Sequence, residues 1–262
     1  MRNDARIMNT CPQVRIETAS GLMAITLARP EKKNALTTSM YQALVQALEQ
    51  ASTDPSIHVV LLDAEGGDFC AGNDIADFAA QARSHQELES YDVFRFVRAL
   101  AVFGKPLVAA VRGRAVGIGT TMLLHCDLVY VADDARFSTP FVDLALVPEA
   151  ASSLLLPARI GHVRAFALFA LGETLDGAAA LAWGLANAAL PADQVTPRAR
   201  AAAQVLAAKP ALALQATKKL MRDHERMLTV IESEGREFAQ RLQSTEAQAM
   251  FQAFMSRRGP AA

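Results

Sequence analysis

Two glycine-containing segments stand out because each has the composition of a strand that turns into a helix. The first covers residues 69–75 (FCAGNDI) and the second covers residues 113–119 (GRAVGIG). A backbone N–H at the start of a helix has no acceptor within that helix, so each turn can present a free donor. Two donors converging from separate loops would stabilise an oxygen on which negative charge develops during a reaction. The alternative is that these glycines serve only to reverse the chain.

The acidic side chains downstream of these segments are candidates for acid–base chemistry. Glu149 follows Pro148 and precedes the small residues of a predicted helix over 152–160. A carboxylate in that position also interacts favourably with a helix N-terminus, so a capping role is the alternative. Asp143 is the nearest other carboxylate. His125 lies on an apolar helix, which favours a packed histidine over a catalytic base.

Motifs for other chemistries are missing from the sequence. Neither glycine segment matches the dinucleotide pattern GxGxxG or a phosphate-binding loop that ends in GK[ST]. Ser152 and Ser153 lack the GxSxG context of a serine hydrolase. The five histidines show no HExxH or paired spacing, and the three cysteines show no CxxC spacing. We therefore expect no metal site and no disulfide framework.

The pattern along the chain predicts alternating strands and helices that would position both glycine segments. Residues 13–18 and 22–27, separated by Ser20 and Gly21, predict a hairpin. Thr37 precedes a helical run that contains Met40 and Leu44. Buried strands are predicted over 57–62, 107–111 and 128–131, and a helix is predicted over 119–125. Beyond residue 150 helical periodicity prevails, over 152–160, 163–171, 177–183, 191–208 and 211–257.

The composition argues against several classes of partner. The formal net charge is -1, from 26 basic and 27 acidic residues, and no basic run exceeds a pair, so nucleic-acid binding is disfavoured. Hydrophobic residues make up 52%, but charges and glycines interrupt every apolar stretch, so no membrane span is predicted. The first ten residues lack an apolar run of signal-peptide length, and the cysteine usage fits a reduced compartment. We expect a cytoplasmic location.

Four motifs in this order resemble the crotonase (enoyl-CoA hydratase/isomerase) superfamily. They cover residues 29–36 (RPEKKNAL), 69–75, 105–111 (KPLVAAV) and 113–119, and the resemblance extends from about Val14 to the C-terminus. It implies an α/β fold, a crotonase-like spiral of ββα units with a C-terminal helical trimerisation segment. Residues 1–195 would form the ββα core and residues 196–262 the helical segment of a single-domain protein. The expected assembly is a homotrimer or a dimer of trimers.

The resemblance also assigns roles to residues of the two glycine segments. The first donor of the family follows the glycine of its AGxD turn and corresponds to Asn73, and the second corresponds to Ile118 between Gly117 and Gly119. The substrate would be an acyl-CoA, so that coenzyme A enters as part of the substrate and no separate cofactor is expected. The implied substrate and coenzyme A contacts are Lys33, Ala35, Asn73, Asp74, Ile75 and Ala76.

The carboxylates decide between the branches of the family. Hydratases use two glutamates, and the corresponding positions here are Thr121 and Phe141, which do no acid–base work. The segment around Glu149 is similar to the Δ3,Δ2-enoyl-CoA isomerase branch, in which one glutamate moves a proton from C2 to C4. An enoyl-CoA isomerase is therefore the first hypothesis. An enoyl-CoA hydratase and a non-catalytic acyl-CoA-binding scaffold remain the alternatives.

Overall fold

A seven-stranded mixed sheet forms the centre of the computed structural model, which describes residues 6–7, 11–77 and 91–257. The strand order is β1-β2-β3-β4-β5-β7-β10, with antiparallel pairing from β1 to β3 and parallel pairing from β3 to β10. A smaller sheet has the order β6-β8-β9. The strands are β1 (Arg6–Ile7), β2 (Val14–Ala19), β3 (Leu22–Leu27), β4 (Val59–Ala64), β5 (Leu107–Val111), β6 (Arg114–Val116), β7 (Leu128–Ala132), β8 (Arg136–Ser138), β9 (Leu175–Asp176) and β10 (Ala188–Leu190).

Helices follow or connect these strands and cover the larger sheet. They are α1 (Thr38–Thr53), α2 (Asp92–Val102), α3 (Ile118–Thr121), α4 (Ser152–Ile160), α5 (His162–Ala170), α6 (Gly177–Ala182), α7 (Ala192–Ala207), α8 (Ala211–Met221), α9 (His224–Leu242) and α10 (Thr245–Arg257). Helix α7 packs against β4, β5 and β7, and α1 contacts β2 and β3. Every residue of β4 and β5 is buried, as expected for parallel strands covered on both faces. No helix in the described part of the chain is long and apolar enough to cross a membrane.

Most of the predicted elements are present, with differences at their ends. The hairpin pairs Val14 with Leu27, and the Thr37 side chain caps α1 by accepting from the Met40 N–H at 3.3 Å. Strand β5 has the predicted bounds, whereas β4 begins and ends two residues later than predicted. The predicted helix 119–125 is a short α-helix followed by a 3-10 turn. These results confirm the α/β class and its local order.

The prediction of one helical stretch over residues 211–257 is wrong, because the chain forms three helices there. The carboxylate of Asp223 accepts from the Arg226 N–H at 2.9 Å and starts α9. The Ser244 hydroxyl accepts from the Ala247 N–H at 3.1 Å and starts α10 in the same way. Aspartate and serine compete with helix continuation by capping a new helix, so apolar periodicity alone missed both breaks.

The loop before α1 depends on one buried amide side chain. Lys33 and Asn34 both have left-handed backbone conformations, with φ values of 53° and 55°. The Asn34 Oδ1 accepts from the Arg29 N–H at 2.8 Å, and its Nδ2 donates to the carbonyls of Glu65 and Asp68 at 2.9 and 2.8 Å. Asparagine tolerates the left-handed region better than most residues. Asn34 therefore joins the loop to the chain segment that leads into residues 69–75.

Replacing Asn34 should destabilise the fold more than its size suggests. Asn34→Ala removes three hydrogen bonds and leaves partly buried backbone groups without partners, so we expect a loss of about 2 to 4 kcal/mol in the free energy of unfolding. Lys32→Ala in the same loop changes an exposed side chain and should stay within about 0.5 kcal/mol of wild type. Urea denaturation of the three proteins measures this. Equal stability of both variants would show that the amide does not hold the loop.

Candidate active site

Two adjoining cavities lie where the two glycine segments meet the C-terminal helices. The outer cavity has a volume of about 190 Å³, and its lining includes Lys33, Asn73, Ile75, Arg114, Ile118, Phe141, Glu149, Phe238 and Phe251. The inner cavity has a volume of about 50 Å³, and its lining includes Tyr91, Phe94, Val97, Ile231, Glu234 and Leu242. Asn73, Glu149 and Phe238 line both cavities. The predicted donors and the predicted base are therefore brought to one place.

Backbone pairing holds the two glycine segments together. Cys70 donates its N–H to the Arg114 carbonyl at 3.0 Å, and the Val116 N–H donates to the Cys70 carbonyl at 2.9 Å. The start of α3 approaches this pair so closely that a Cβ on Gly119 would lie 2.6 Å from the Cys70 carbonyl oxygen. A side chain at residue 119 would push the helix away from the first segment. The glycine is thus required for the two loops to converge.

Both predicted donor amides have the geometry of free N–H groups. Leu36 donates to the Gly72 carbonyl and accepts from the Asp74 N–H, each at 2.8 Å, which turns the N–H of the intervening Asn73 away from Leu36. Ile118 is the first residue of α3, so its N–H has no acceptor within the helix. It does not belong to the described residues with positive φ, and its side chain is buried. The backbone N–H of Ile118 is therefore available for the predicted donor role.

Tyr41 of α1 contacts the predicted first donor, Asn73, and no sequence motif predicts this contact. Its hydroxyl donates to the Asn73 Oδ1 at 2.5 Å, which fixes the side chain of the residue that carries the predicted donor N–H. Burial, and then the nearby Cys70 and Glu149, raise the pKa of Tyr41 well above its ordinary value. The phenol therefore remains a neutral hydrogen-bond donor. Its position on an apolar helix face resembles that of any core tyrosine, so no sequence signal marked it.

Glu149 presents one bonded and one free carboxylate oxygen. The Thr121 hydroxyl donates to its Oε1 at 2.5 Å, whereas its buried Oε2 has no partner among the residues that the structure describes. Burial raises the pKa of Glu149 to about 8; the Thr121 hydrogen bond opposes this shift and the charge of Glu234 adds to it. A buried carboxyl with a pKa near neutrality and a free oxygen is suited to accept and return a proton.

The other candidates for acid–base chemistry are excluded by their positions. Asp143 is exposed and does not line either cavity. Phe141 is buried, packs 6.1 Å from the Phe169 ring and brings no polar group to the outer cavity. His125 is fully buried, and burial lowers its pKa to about 3, so the imidazole is neutral. Its Nε2 lies 2.8 Å from the Ala150 carbonyl, and the prediction of a packed histidine is confirmed.

The residues predicted to contact the substrate divide into two groups. Lys33, Asn73 and Ile75 line the outer cavity, whereas Ala35, Asp74 and Ala76 do not. The last three belong to a hydrogen-bond network that holds the loop next to the cavity.

A guanidinium group connects the two segments of this network. Arg29 Nη1 donates to the Ala35 carbonyl at 2.9 Å and to the Asp74 carboxylate at 2.8 Å. The Asp74 carboxylate also accepts from the Ala76 and Asp77 N–H groups at 3.1 and 3.3 Å. Burial raises the pKa of Asp74, but the hydrogen bonds from Arg29 and the backbone outweigh it, so the net pKa is lowered. Asp74 thus remains charged and holds the residues next to the Asn73 donor.

Several residues that line the cavities were not predicted as site residues. Among them, Phe238 and Glu234 come from α9, Phe251 comes from α10, and Arg114 lies in the second glycine segment. The stripe Met227, Ile231, Glu234, Phe238 and Leu242 has helical spacing, and a glutamate within an apolar stripe was the available signal for Glu234. The boundary predicted at residue 195 therefore does not separate the site from the helical segment. Among the residues described, no cluster of His, Cys, Asp and Glu could hold a metal ion.

Comparisons with known proteins identify the family of the chain. Residues 17–261 match the sequence family described as enoyl-CoA hydratase/isomerase. The chain is 35% identical over 214 residues to Enoyl-CoA delta isomerase 2 of Rattus norvegicus, a match that covers 80% of this chain and 54%, or about half, of that protein. It is 34% identical over 209 residues to 1,2-epoxyphenylacetyl-CoA isomerase of Escherichia coli (strain K12), covering 78% of this chain and 80% of that protein.

The solved structures include a similar chain of comparable length. OdaA of Pseudomonas aeruginosa has a TM-score of 0.88 and 46% sequence identity, and the match covers 94% of this chain and 99% of that chain. Solved enoyl-CoA hydratase/isomerase structures share the same fold, which confirms the crotonase-like architecture. The chain belongs to the enoyl-CoA hydratase/isomerase family.

Proposed function

We propose that the protein is an enoyl-CoA isomerase that moves the double bond of a 3-enoyl-CoA to the 2-position. The main support is the composition of the outer cavity. Among its described lining residues Glu149 is the one carboxylate, and it shares the cavity with the Asn73 and Ile118 amides. The two positions at which family hydratases would carry glutamates hold Thr121 and Phe141. One base and two oxyanion donors are enough for isomerisation, because substrate and product differ only in the position of one proton.

The two amides would act on the thioester oxygen. Removal of a proton from C2 moves electrons toward that oxygen and gives an enolate. The N–H groups of Asn73 and Ile118 would donate to it, and the start of α3 adds the positive end of its peptide dipoles. Such fixed donors stabilise the enolate more than the neutral thioester, so they lower the barrier selectively.

Glu149 would carry the proton between the two carbons. Its free Oε2 takes the proton from C2, the C2–H electrons pass into the enolate, and the same oxygen returns the proton to C4. The double bond then lies between C2 and C3, and no other atom is gained or lost. The Thr121 hydroxyl, bound to Oε1, keeps the carboxyl from rotating between the two steps. A second carboxylate is needed only when water has to be added.

The surroundings of the site suit an acyl-CoA. Lys33 places positive charge in the lining of the outer cavity, where the phosphates of coenzyme A would lie, and Arg114, which also lines it, is paired with the Asp68 carboxylate at 2.9 Å. The inner cavity is lined mainly by apolar side chains and would take the acyl chain. Contacts from Ala35, Asp74 and Ala76 remain part of the proposal and would come through the loop that Arg29 holds.

The assembly and location are proposed on the same basis. Large apolar side chains are exposed on α5 and α8, including Phe166, Leu212, Leu220 and Met221. Such a surface is more than a monomer normally leaves in water, so we propose a homotrimer or a dimer of trimers. We propose a cytoplasmic location because the three cysteines Cys11, Cys70 and Cys126 are free and buried.

Removing the base tests the reaction type. Glu149→Gln should lower the rate of 3-enoyl-CoA isomerisation by about 10² to 10⁴-fold with little change in acyl-CoA affinity. Asp143→Asn removes an exposed carboxylate nearby and should keep full activity. Isomerisation and crotonyl-CoA hydration are measured on the same preparation. Faster hydration than isomerisation would identify a hydratase, and tight binding without turnover would identify a non-catalytic binder.

The pH dependence of rate and stability should follow the titration of Glu149. Because the carboxylate is the active form, kcat/KM should rise with pH through a midpoint near 8. The folded pKa lies above the ordinary value of 4.5, so the folded state binds more protons and loses stability as pH rises from about 4.5 to about 8. Thr121→Val should move the kcat/KM midpoint to higher pH, and Thr121→Ser should not. A kcat/KM that does not change between about pH 6 and about pH 9 would refute the assignment of Glu149 as the base.

The second donor can be removed without changing a charged group. Ile118→Pro deletes the N–H at the first position of α3, where proline is compatible with a helix. We expect a loss of about 10² to 10³ in turnover for a folded variant. Ile118→Ala shortens the same buried side chain but keeps the N–H, so it is the matched control. Circular dichroism establishes folding, and similar turnover of both variants would exclude a donor role.

A further inference from the structure

The inner cavity contains a second buried carboxylate, that of Glu234 on α9. It is 8% exposed and lines this cavity together with Glu149. Its Oε2 accepts from the Ala151 N–H at 2.6 Å, and its Oε1 accepts from the Ser153 N–H at 2.9 Å. Within the described chain no lysine or arginine forms an ion pair with it. A long-range contact, 83 residues apart in sequence, therefore holds the turn that follows Glu149.

That turn has an unfavourable backbone conformation. Ala150 and Ala151 are consecutive left-handed residues, with φ values of 60° and 55°. Residues with a Cβ adopt this region only where surrounding contacts hold them there. The neutral His125 donates from Nε2 to the Ala150 carbonyl at 2.8 Å, and Glu234 accepts from the N–H of the next residue. The turn is thus held from two sides.

Glu234 also takes the place of a helix cap. Ala151 is the N-cap residue of α4 and has no side-chain group to bind the free N–H groups of the first turn. The Glu234 carboxylate binds two of the amides there, at the positive end of the helix. Burial raises its pKa, and the hydrogen bonds from Ser153 and Ala151 oppose that shift.

The other titratable groups around Glu149 keep their charge state near neutral pH. Burial raises the pKa of Tyr41 well above its ordinary value and that of Cys70 to about 12, and burial lowers the pKa of His125 to about 3. All three are therefore neutral. Glu234 lines the inner cavity together with Glu149, and its charge raises the pKa of Glu149.

We propose that Glu234 is a positioning residue of the active site: its carboxylate holds the left-handed turn that orients Glu149, and its negative charge acts on Glu149 from the inner cavity. The inference rests on the proposed role of Glu149 as the proton carrier. A neutral side chain at residue 234 removes the repulsion that disfavours the ionised form of Glu149. The titration of Glu149 should then move to lower pH.

A thermodynamic cycle tests this without any assay of activity. The free energy of unfolding is measured against pH for wild type, Glu149→Gln, Glu234→Gln and the double variant. With either Glu or Gln at residue 234, the change in the free energy of unfolding caused by Glu149→Gln, plotted against pH, isolates the titration of Glu149. The midpoint of that titration should lie at lower pH when residue 234 is Gln. Glu237→Gln makes the same charge change at an exposed position of α9 and should leave the midpoint unchanged.

The outcomes separate a positioning role from a purely structural one. A residue that only stabilises the helix start would lower stability equally at every pH and leave the midpoint where it is in wild type, and this result overturns the inference. Glu234→Met is made in parallel, because a buried charge can be replaced by an apolar side chain of similar size. If neither variant folds, carbon NMR of the wild-type carboxyl groups decides. If the NMR titration curve of the Glu149 carboxyl carbon has no inflection at the pH where Glu234 titrates, the coupling between the two carboxyl groups is refuted.

Isomerase assays on the same variants distinguish this inference from the proposed function. The midpoint of kcat/KM for 3-enoyl-CoA should move in the same direction as the midpoint from unfolding. A shifted unfolding midpoint in a protein without isomerase activity supports the role of Glu234 and refutes the proposed reaction. Normal isomerase activity with an unshifted unfolding midpoint supports the proposed reaction and refutes the role of Glu234.

Discussion

The cost of keeping a carboxyl group away from water is the constraint on which this site depends. Glu149 has one hydrogen bond, from Thr121, and its second oxygen has no partner in the described structure. A buried charge without a cation is unfavourable, so the carboxyl holds its proton to higher pH than an exposed glutamate does. The same burial that lowers stability brings the group into the range where it exchanges protons easily. The surrounding fold compensates with the fully buried strands β4 and β5.

The backbone around the site is irregular, and buried polar side chains hold it in place. Asn34 binds three backbone groups around one left-handed pair, and Glu234 with His125 binds the other pair, Ala150 and Ala151. In both places a side chain satisfies backbone groups that no helix or strand can pair. The residues predicted to act, Asn73 and Glu149, stand next to these held segments. Groups other than the proposed base and the proposed donors thus hold the backbone at the site.

The C-terminal helices have a part in the site as well as in the proposed assembly. Helix α9 supplies Glu234 and Phe238 to the cavities, and α10 supplies Phe251. Their apolar stripe closes the space above the glycine segments within the same chain. Removal of these helices would open the cavities to water and expose Glu149, which would weaken both the proposed donors and the proposed base. The core and the helical segment therefore form one functional unit.

The sequence by itself determined the α/β class, the order of most strands and helices, the family and the meeting of Asn73, Ile118 and Glu149 at one cavity. Local signals carry this information: Thr37 caps a helix, and the order of the motifs around Asn73, Ile118 and Glu149 is read directly along the chain. Only the tertiary structure decided that Tyr41 binds Asn73, that Thr121 binds Glu149 and that Glu234 holds the turn beside it. These contacts join residues 28 to 83 positions apart, and no local periodicity specifies them. Burial likewise belongs to the folded chain, because desolvation depends on what packs around a group and not on its neighbours in sequence.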